Sequence, residues 1–361
     1  MYNAALKILK ILEENGFESY IVGGYPRDLY LGNKSIDIDI CSSATPKDIK
    51  AIFDDIKLLN EKYGAVVVKM DGHSFEITTF RKEIKYDNNR IPALFDYVKT
   101  LKEDIIRRDF TINTICINYK EEIIDLLNGR VDIDNKIIRS VGNASKKMYE
   151  DSLRILRAIR FATTLNFELD DELKEAIKEN GYLLKNLSYY RKKSELDRIF
   201  SSSNVKRGIE LIREFNLDKY LELSNLDKLV ITDLSIGIWA QLGVVDIYDF
   251  TNIEKNYIVK INEALKTDMD DLTLFYYGLY IGGIAFNIRG YSKTEVTERY
   301  EALPIKRRSD IDVEATDICR VLNKDKGSFL REIYEDLAIQ IVYRKLNNNK
   351  EELLEYIKNN Y

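Results

Sequence analysis

Two aspartates lie two residues apart in an apolar run, Ile36-Asp37-Ile38-Asp39-Ile40, about a dozen residues after Gly23-Gly24. The alternation predicts a short strand, and period-two geometry puts both carboxylates on one face. Carboxylates held that close repel each other unless a cation lies between them. Hard oxygen ligands on a rigid strand suit Mg²⁺, commonly held by one or two carboxylates together with substrate phosphates. A plain acidic edge strand would show the same triplet, so its weight comes from what surrounds it.

The glycine pair stands between a predicted strand over 19–22 and a helix opened by Pro26 and ended by Gly32. Glycines there let the backbone approach a phosphate closely, and the helix N-terminus adds positive potential. Arg27, one turn into that helix, can pair with a phosphate in fork geometry. Residues 3–15 read as an amphipathic helix stopped by Gly16, and Thr45-Pro46 opens a helix running to about residue 53. Segments 65–70 and 74–80 are β-rich and meet at Asp71-Gly72, a hairpin signal. Glu76 alternates with Phe75 and Ile77 there and is a candidate third carboxylate. Residues 81–102 are polar without a clear period and predict a long loop, either functional or disordered. Segments 114–119 and 122–126 read as another strand pair, followed by a turn at Asn128-Gly129. Beyond about residue 138 the strands fade, and 148–164, 170–180, 192–200, 205–215 and the remainder read as helices. Strands first and helices after define an α+β head followed by an all-helical remainder.

The chain's 361 residues suffice for two or more domains. Cys41, Cys116 and Cys319 form no CxxC pair, which argues against a disulfide framework or thiolate zinc site and fits a reducing cytoplasm. No stretch is apolar enough to span a bilayer, and the N-terminus lacks a signal peptide's apolar core, so no membrane partner is expected. The net charge of −5 does not announce nucleic-acid binding, but local basic patches decide that question. His73 is the only histidine, which excludes histidine-clustered metal sites and an appended HD-type phosphohydrolase domain. No GxxxxGK[ST] occurs, so the glycine pair is not a P-loop.

Glycine-glycine, a short helix, then acid-apolar-acid resembles the polymerase-β-like nucleotidyltransferase superfamily. Five runs follow in order: Val22-Gly23-Gly24-Tyr25-Pro26-Arg27-Asp28, Ser43-Ala44-Thr45-Pro46, Phe75-Glu76-Ile77-Thr78-Thr79-Phe80-Arg81, Arg107-Arg108-Asp109-Phe110-Thr111-Ile112-Asn113 and Glu150-Asp151-Ser152-Leu153-Arg154-Ile155-Leu156-Arg157. Together they resemble the class II tRNA nucleotidyltransferase and bacterial poly(A) polymerase family over about the first 200 residues. A weaker echo over 305–332 resembles the tail of bacterial CCA-adding enzymes. The resemblance implies a mixed-sheet catalytic head with flanking helices (1–138), a helical neck (139–200), a helical body (201–270) and a helical, tRNA-binding tail (271–361). It implies that Asp37 and Asp39 hold two Mg²⁺ for in-line transfer to an RNA 3′ hydroxyl. Gly23, Gly24, Arg27, Arg108, Arg157 and Arg160 would contact the nucleotide, with CTP and ATP as substrates and tRNA as acceptor.

Asp151, Arg154, Arg157 and Arg160 are spaced i, i+3, i+6, i+9 and predict one helical stripe, with Leu153, Leu156, Ile159 and Phe161 left for packing opposite. A salt-bridged solvated face gives the same spacing. In the family the aspartate and first arginine read the incoming base. Cytosine and adenine both present an amine donor beside a ring-nitrogen acceptor, which a carboxylate plus guanidinium complements; uracil and guanine present the reverse order and are rejected.

Two departures stand out. The family's common His-Gly-Thr is here Tyr63-Gly64-Ala65, and its Ser-x-Glu-Arg-Ile is here Ser188-Tyr189-Tyr190-Arg191-Lys192, which leaves the buttressing of the Asp151 segment in question. Glu195 still matches a later family glutamate. The segment 81–92 resembles the flexible loop that CC-adding relatives lack, so full CCA addition is expected. A-only addition and poly(A) synthesis are alternatives, as is a catalytically silent RNA-binding protein. Lys146-Lys147, Arg191-Lys192-Lys193, Lys206-Arg207 and Lys306-Arg307-Arg308 are candidate RNA phosphate contacts. The sequence does not fix the oligomeric state.

Overall fold

The computed structural model describes residues 1–60, 64–87 and 91–361. Tyr63 and residues Asn88, Asn89 and Arg90 of the expected loop lie outside the described residues. The chain divides into two compact units, Met1–Glu222 and Leu223–Tyr361.

The first unit is α+β. Its strands are β1 (Ser19–Val22), β2 (Asp39–Ser42), β3 (Ile56–Asn60), β4 (Ala65–Met70), β5 (His73–Thr79), β6 (Arg81–Asp87), β7 (Ile91–Tyr97), β8 (Cys116–Ile117), β9 (Ile123–Ile124), β10 (Ile137–Ile138) and β11 (Glu168–Leu169). Its helices are α1 (Tyr2–Glu14), α2 (Gly24–Tyr30), α3 (Pro46–Ile52), α4 (Leu101–Ile106), α5 (Gly129–Asp134), α6 (Ala144–Glu150), α7 (Leu153–Leu165), α8 (Asp171–Asn180), α9 (Tyr189–Phe200), α10 (Val205–Glu214) and α11 (Asp218–Leu221). The main sheet has the order β3-β4-β5-β2-β1-β8-β9. It is mixed, because β2 and β5 run parallel while β1 pairs antiparallel with both β2 and β8. One sheet face buries Ile21, Ile40 and Ile77 against Ala5, Ile8, Leu9 and Leu12 of α1. Helix α3 starts on the expected residues: Thr45 and Asp48 form a reciprocal capping box before Pro46.

Three expectations change. The strand expected over 36–40 begins only at Asp39. Residue Val22 pairs with Asp39, and β1 then ends at Gly23, whose φ of 79° turns the chain away, so residues 36–38 lack a partner on that side. The alternation survives over residues 37–40, where Ile38 and Ile40 are buried while Asp37 and Asp39 face outward, but Ile36 is exposed. The loop expected over 81–102 contains an antiparallel pair, β6 with β7, and the start of α4. This pair forms a sheet of its own, so its sequence carries no simple one-sided alternation. The helix expected over 148–164 is two helices. Asp151 has φ −140° and ψ 101° and breaks the chain between α6 and α7. The apolar period runs on through this break, which hid it.

The second unit is helical: α12 (Ser235–Gln241), α13 (Asn252–Ala264), α14 (Asp271–Ile288), α15 (Lys293–Glu301), α16 (Ala315–Leu322), α17 (Phe329–Val342) and α18 (Lys350–Asn360). Leu274, Phe286, Ile318, Leu337, Ile341, Leu353 and Ile357 share its core. Helix α14 kinks at Gly278, whose φ of 68° suits glycine. No helix among the described residues is long and apolar enough to cross a membrane.

Candidate active site

Within the first unit, α2, β2, β6, the turn after α4, α7 and α9 surround a cavity of about 680 Å³. Nine arginines line it against four carboxylates, Asp39, Glu83, Asp109 and Asp151, so a chain of net charge −5 presents a strongly cationic cavity. Such a surplus suits a polyanion such as a triphosphate.

The acidic pair sits at one edge. Gly23 allows close approach: a β-carbon there would lie 3.5 Å from Asp39 Oδ2, and its positive φ disfavours any other residue. Asp39 lines the cavity and stands in register with Glu76 on the parallel neighbour β5. It keeps solvent access, yet lost hydration at the cavity wall pushes its carboxyl up to about 6. The charges of Asp37 and Glu76 add to this rise, and Arg108 opposes it. That is an under-neutralised acidic edge, the donor chemistry a hard divalent cation satisfies. Among the described residues no three His, Cys, Asp or Glu side chains form a closed metal site by themselves. The residues therefore fit a cation that substrate phosphates help to ligate, rather than an all-protein cage.

The basic wall is held from behind. Asp104, wholly buried, accepts from Arg107 Nε at 2.8 Å, from Arg108 Nη2 at 2.9 Å and from the Arg81 backbone N–H at 3.2 Å. Those two arginines keep its carboxyl ionised below the usual range despite burial. Arg108 Nε is buried and has no hydrogen-bond partner, which leaves a donor for an incoming anion. Asp109 accepts from Arg157 Nε and Nη2 at 2.8 and 2.6 Å and from Asn113 at 3.1 Å. Asn113 in turn accepts from Arg27 Nη1 at 2.7 Å. Although burial opposes it, the Arg157 pair holds Asp109 well below the ordinary carboxylate range. Arg27 is nearly buried, and Nε and Nη2 both donate to Asp28, so the fork expected for phosphate is closed onto its own neighbour. Arg160 donates to Glu195 at 2.6 Å, and burial lowers it to about 10.

Asp151 is not on the arginine stripe but in the break before it. One oxygen accepts from the Leu153 N–H at 3.1 Å, and Arg191 Nη2 lies 3.7 Å from the other. Burial raises its carboxyl, with Arg191 the main opposing charge. Arg154 is buried; it donates to the carbonyls of Lys147 and Arg107 at 3.2 and 2.9 Å and pairs with Glu150. Phe161 packs in the core as expected, edge-on to Phe110 at 5.8 Å, and also lines the cavity beneath the guanidiniums of Arg27, Arg157 and Arg160, at 5.1, 5.3 and 4.0 Å.

The structure thus brings Gly23, Gly24, Arg27, Asp39, Arg108, Asp151, Arg154, Arg157 and Arg160 to one cavity; Asp37 and Glu76 flank Asp39 outside its lining. Sequence reasoning missed Asp104, Asp109 and Glu83. Asp109 stood inside a quoted run and Glu83 inside the 81–92 loop segment, whereas nothing in the sequence marked Asp104. The question of buttressing is answered by α9, whose Arg191 and Glu195, one turn apart, meet Asp151 and Arg160. Most of the expected RNA-contacting cations already face partners: Lys146 meets Glu150, Lys193 meets Asp197, Arg207 meets Glu168, and Lys306, Arg307 and Arg308 meet Glu301, Asp310 and Glu335.

A mixed-sheet head with an acidic strand edge against an arginine-lined cavity defines a nucleotidyltransferase. Residues 19–139 match the poly A polymerase head domain, 166–226 the probable RNA and SrmB-binding site of polymerase A, and 248–357 the putative tRNA nucleotidyltransferase domain 2. The chain is 33% identical to the CCA-adding enzyme of Ligilactobacillus salivarius, covering 99% of this chain and 96% of that protein. It is 32% identical to the Staphylococcus haemolyticus CCA-adding enzyme over 100% of this chain and 98% of that one. The Bacillus stearothermophilus CCA-adding enzyme in complex with CTP superposes with a TM-score of 0.82 at 28% identity, covering 99% and 97% of the two chains. The Thermotoga maritima CCA-adding enzyme complexed with tRNA shares the fold, with a TM-score of 0.71 at 21% identity over 98% of this chain and 94% of that one. The chain belongs to the CCA-adding enzyme family.

Proposed function

We propose that this chain adds C, C and A in turn to the 3′ end of tRNA, taking CTP and ATP, releasing pyrophosphate and working in the cytoplasm. The observation that carries this reading is the acidic edge at Asp37 and Asp39 set against a cavity that also holds Asp151. Asp37 and Asp39, with Glu76 beside them, would hold Mg²⁺, which when bound lowers the pKa of an attacking hydroxyl and neutralises phosphate charge.

The remaining work falls to the chain's own groups. Gly23 and Gly24 open the backbone to the triphosphate, and Arg108, Arg157 and Arg160 supply its countercharge from positions that Asp104, Asp109 and Glu195 fix in advance. Arg27 braces this wall through Asn113 and Asp28. Asp151 accepts the exocyclic amine that cytosine and adenine share, and Arg154 faces the ring nitrogen. Uracil and guanine would set an acceptor against the carboxylate, leaving both unpaired. We assign transfer to the head and neck (1–138 and 139–200) and tRNA holding to the body and tail (201–270 and 271–361).

Supplying single nucleotides to tRNA lacking its 3′ terminus tests this. CTP alone should add two residues and stop, and ATP should then add one. Addition of A only, onto a CC end, would identify an A-adding enzyme; long A tracts on unrelated RNA would identify a poly(A) polymerase.

A further inference from the structure

Lys192 does not line the cavity, and nothing in the transfer reaction needs it. It is only 1% exposed, inside the first turns of α9, where the helix dipole disfavours a cation. A buried ammonium in such a place is costly unless its surroundings compensate. The compensation comes from the end of α11. Lys192 Nζ donates to the Tyr220 carbonyl at 3.4 Å and lies 4.8 Å from the centre of the Tyr189 ring. The Tyr189 hydroxyl donates to Glu222 Oε1 at 2.8 Å. Glu222, in the left-handed region at φ 60°, caps α11 and is the main charge supporting the Lys192 ammonium against burial.

Tyr189 and Lys192 thus fasten one side of the first turn of α9 to residues 220–222. Ser188, at the N-cap, makes no side-chain capping bond, so this clasp substitutes for the usual anchor of a helix start. The other side of α9 carries Arg191, the residue next to Lys192, against Asp151, and Glu195 against Arg160. A shift of that turn moves Arg191 relative to the carboxylate that faces the base.

We propose that Lys192 is a positioning residue for base selection: with Tyr189 and Glu222 it clasps α9 so that Arg191 orients the Asp151 carboxylate. This rests on the reading of Asp151 as the base-facing group. It does not touch nucleotide, and its effect passes through Arg191.

The test compares the full-length wild-type chain with Lys192→Met, Glu222→Gln and Asp151→Ala. It measures kcat/KM for CTP and for UTP on tRNA lacking its 3′ end, alongside melting temperature. Lys192→Met keeps the packing volume and removes a buried charge, so the fold should survive. The expected result is a fall in CTP-over-UTP preference of about threefold or more for Lys192→Met, and a smaller fall for Glu222→Gln, without a matching loss of melting temperature. The Lys192→Met and Glu222→Gln effects should not add in the double variant. An altered melting temperature with unchanged preference would make Lys192 merely structural and overturn the proposal. If Asp151→Ala relaxes the preference and Lys192→Met does not, the clasp alone fails. If Asp151→Ala leaves the preference intact, the base-reading assignment fails first and takes the clasp with it.

Discussion

Among the described residues, a polar cavity of about 680 Å³ in the first unit has a counterpart of nearly equal size, about 660 Å³, in the second. The second is lined by Arg308, Asp312, Glu314, Asp317, Arg331 and Lys350 among others, so its residue types resemble those of the first. Their exposure differs. In the first cavity the paired side chains of Asp104, Arg108, Arg154 and Asp109 are 0, 14, 7 and 10% exposed. In the second, Arg308 and its partner Glu335 are each 44% exposed, and buried Asp317 meets cations that stay in solvent, Lys350 at 52% and Arg320 at 77%. Volume therefore does not distinguish a reaction site from a solvated cleft; the cationic surplus and its desolvation do. Charges held out of water keep their strength and their geometry, while exposed pairs lose both to screening.

That contrast is open to attack at several positions. The largest effect is expected at Asp104, since removing it strands two arginines. Asp104→Ala should lose about 3–5 kcal/mol of stability by urea unfolding, and a loss under about 1 kcal/mol would deny that buried pairing organises the wall. Asp109→Asn should cost about 2 kcal/mol by the same measurement, because one neutral amide replaces a doubly bonded carboxylate. Its pH dependence has a definite sign. The folded-state pKa of Asp109 is depressed, so its contribution is present at neutral pH and is lost only as pH falls through the strongly acid range, below the ordinary carboxylate values. The wild type should therefore lose its advantage over Asp109→Asn on acidification.

Lys147 gives a subtler check in the opposite direction. Burial lowers its ammonium from 10.5 to about 8 while it donates to the Ile106 carbonyl at 2.9 Å. Between those values the unfolded chain binds more protons than the folded one, so stability should rise with pH across that window. Lys147→Met should lack this rise in unfolding measured from pH 8 to pH 10. Smallest of all, Arg308→Ala in the second cavity should change stability by no more than about 0.5 kcal/mol, as an exposed pair does. An effect there as large as at Asp109 would erase the distinction between the cavities.

What the sequence revealed follows the same division. Gly23-Gly24 and the Asp37–Asp39 pair were legible because each is a local pattern: a turn needing glycine, and an alternation that sets a face. The capping box at Thr45 and the hairpin between β4 and β5 were legible for the same reason. Asp104 was not, because one aspartate on a short helix gains its role only when tertiary folding buries it between two arginines. The break at Asp151 was hidden by the apolar period that continues from α6 into α7. Phe161 was legible as a packing residue, but its second role was not: three cations gather over its ring at the cavity wall only once the chain is folded.

The central claim is that the aspartate pair at the cavity edge drives nucleotide transfer to RNA. It is tested most directly by single-turnover CTP incorporation into tRNA lacking its 3′ end, measured for Asp37→Ala and Asp39→Ala beside tRNA binding by the same proteins. The account predicts that transfer falls by about a thousandfold or more while tRNA affinity is retained. Transfer that persists, or that falls only in step with tRNA binding, would contradict it.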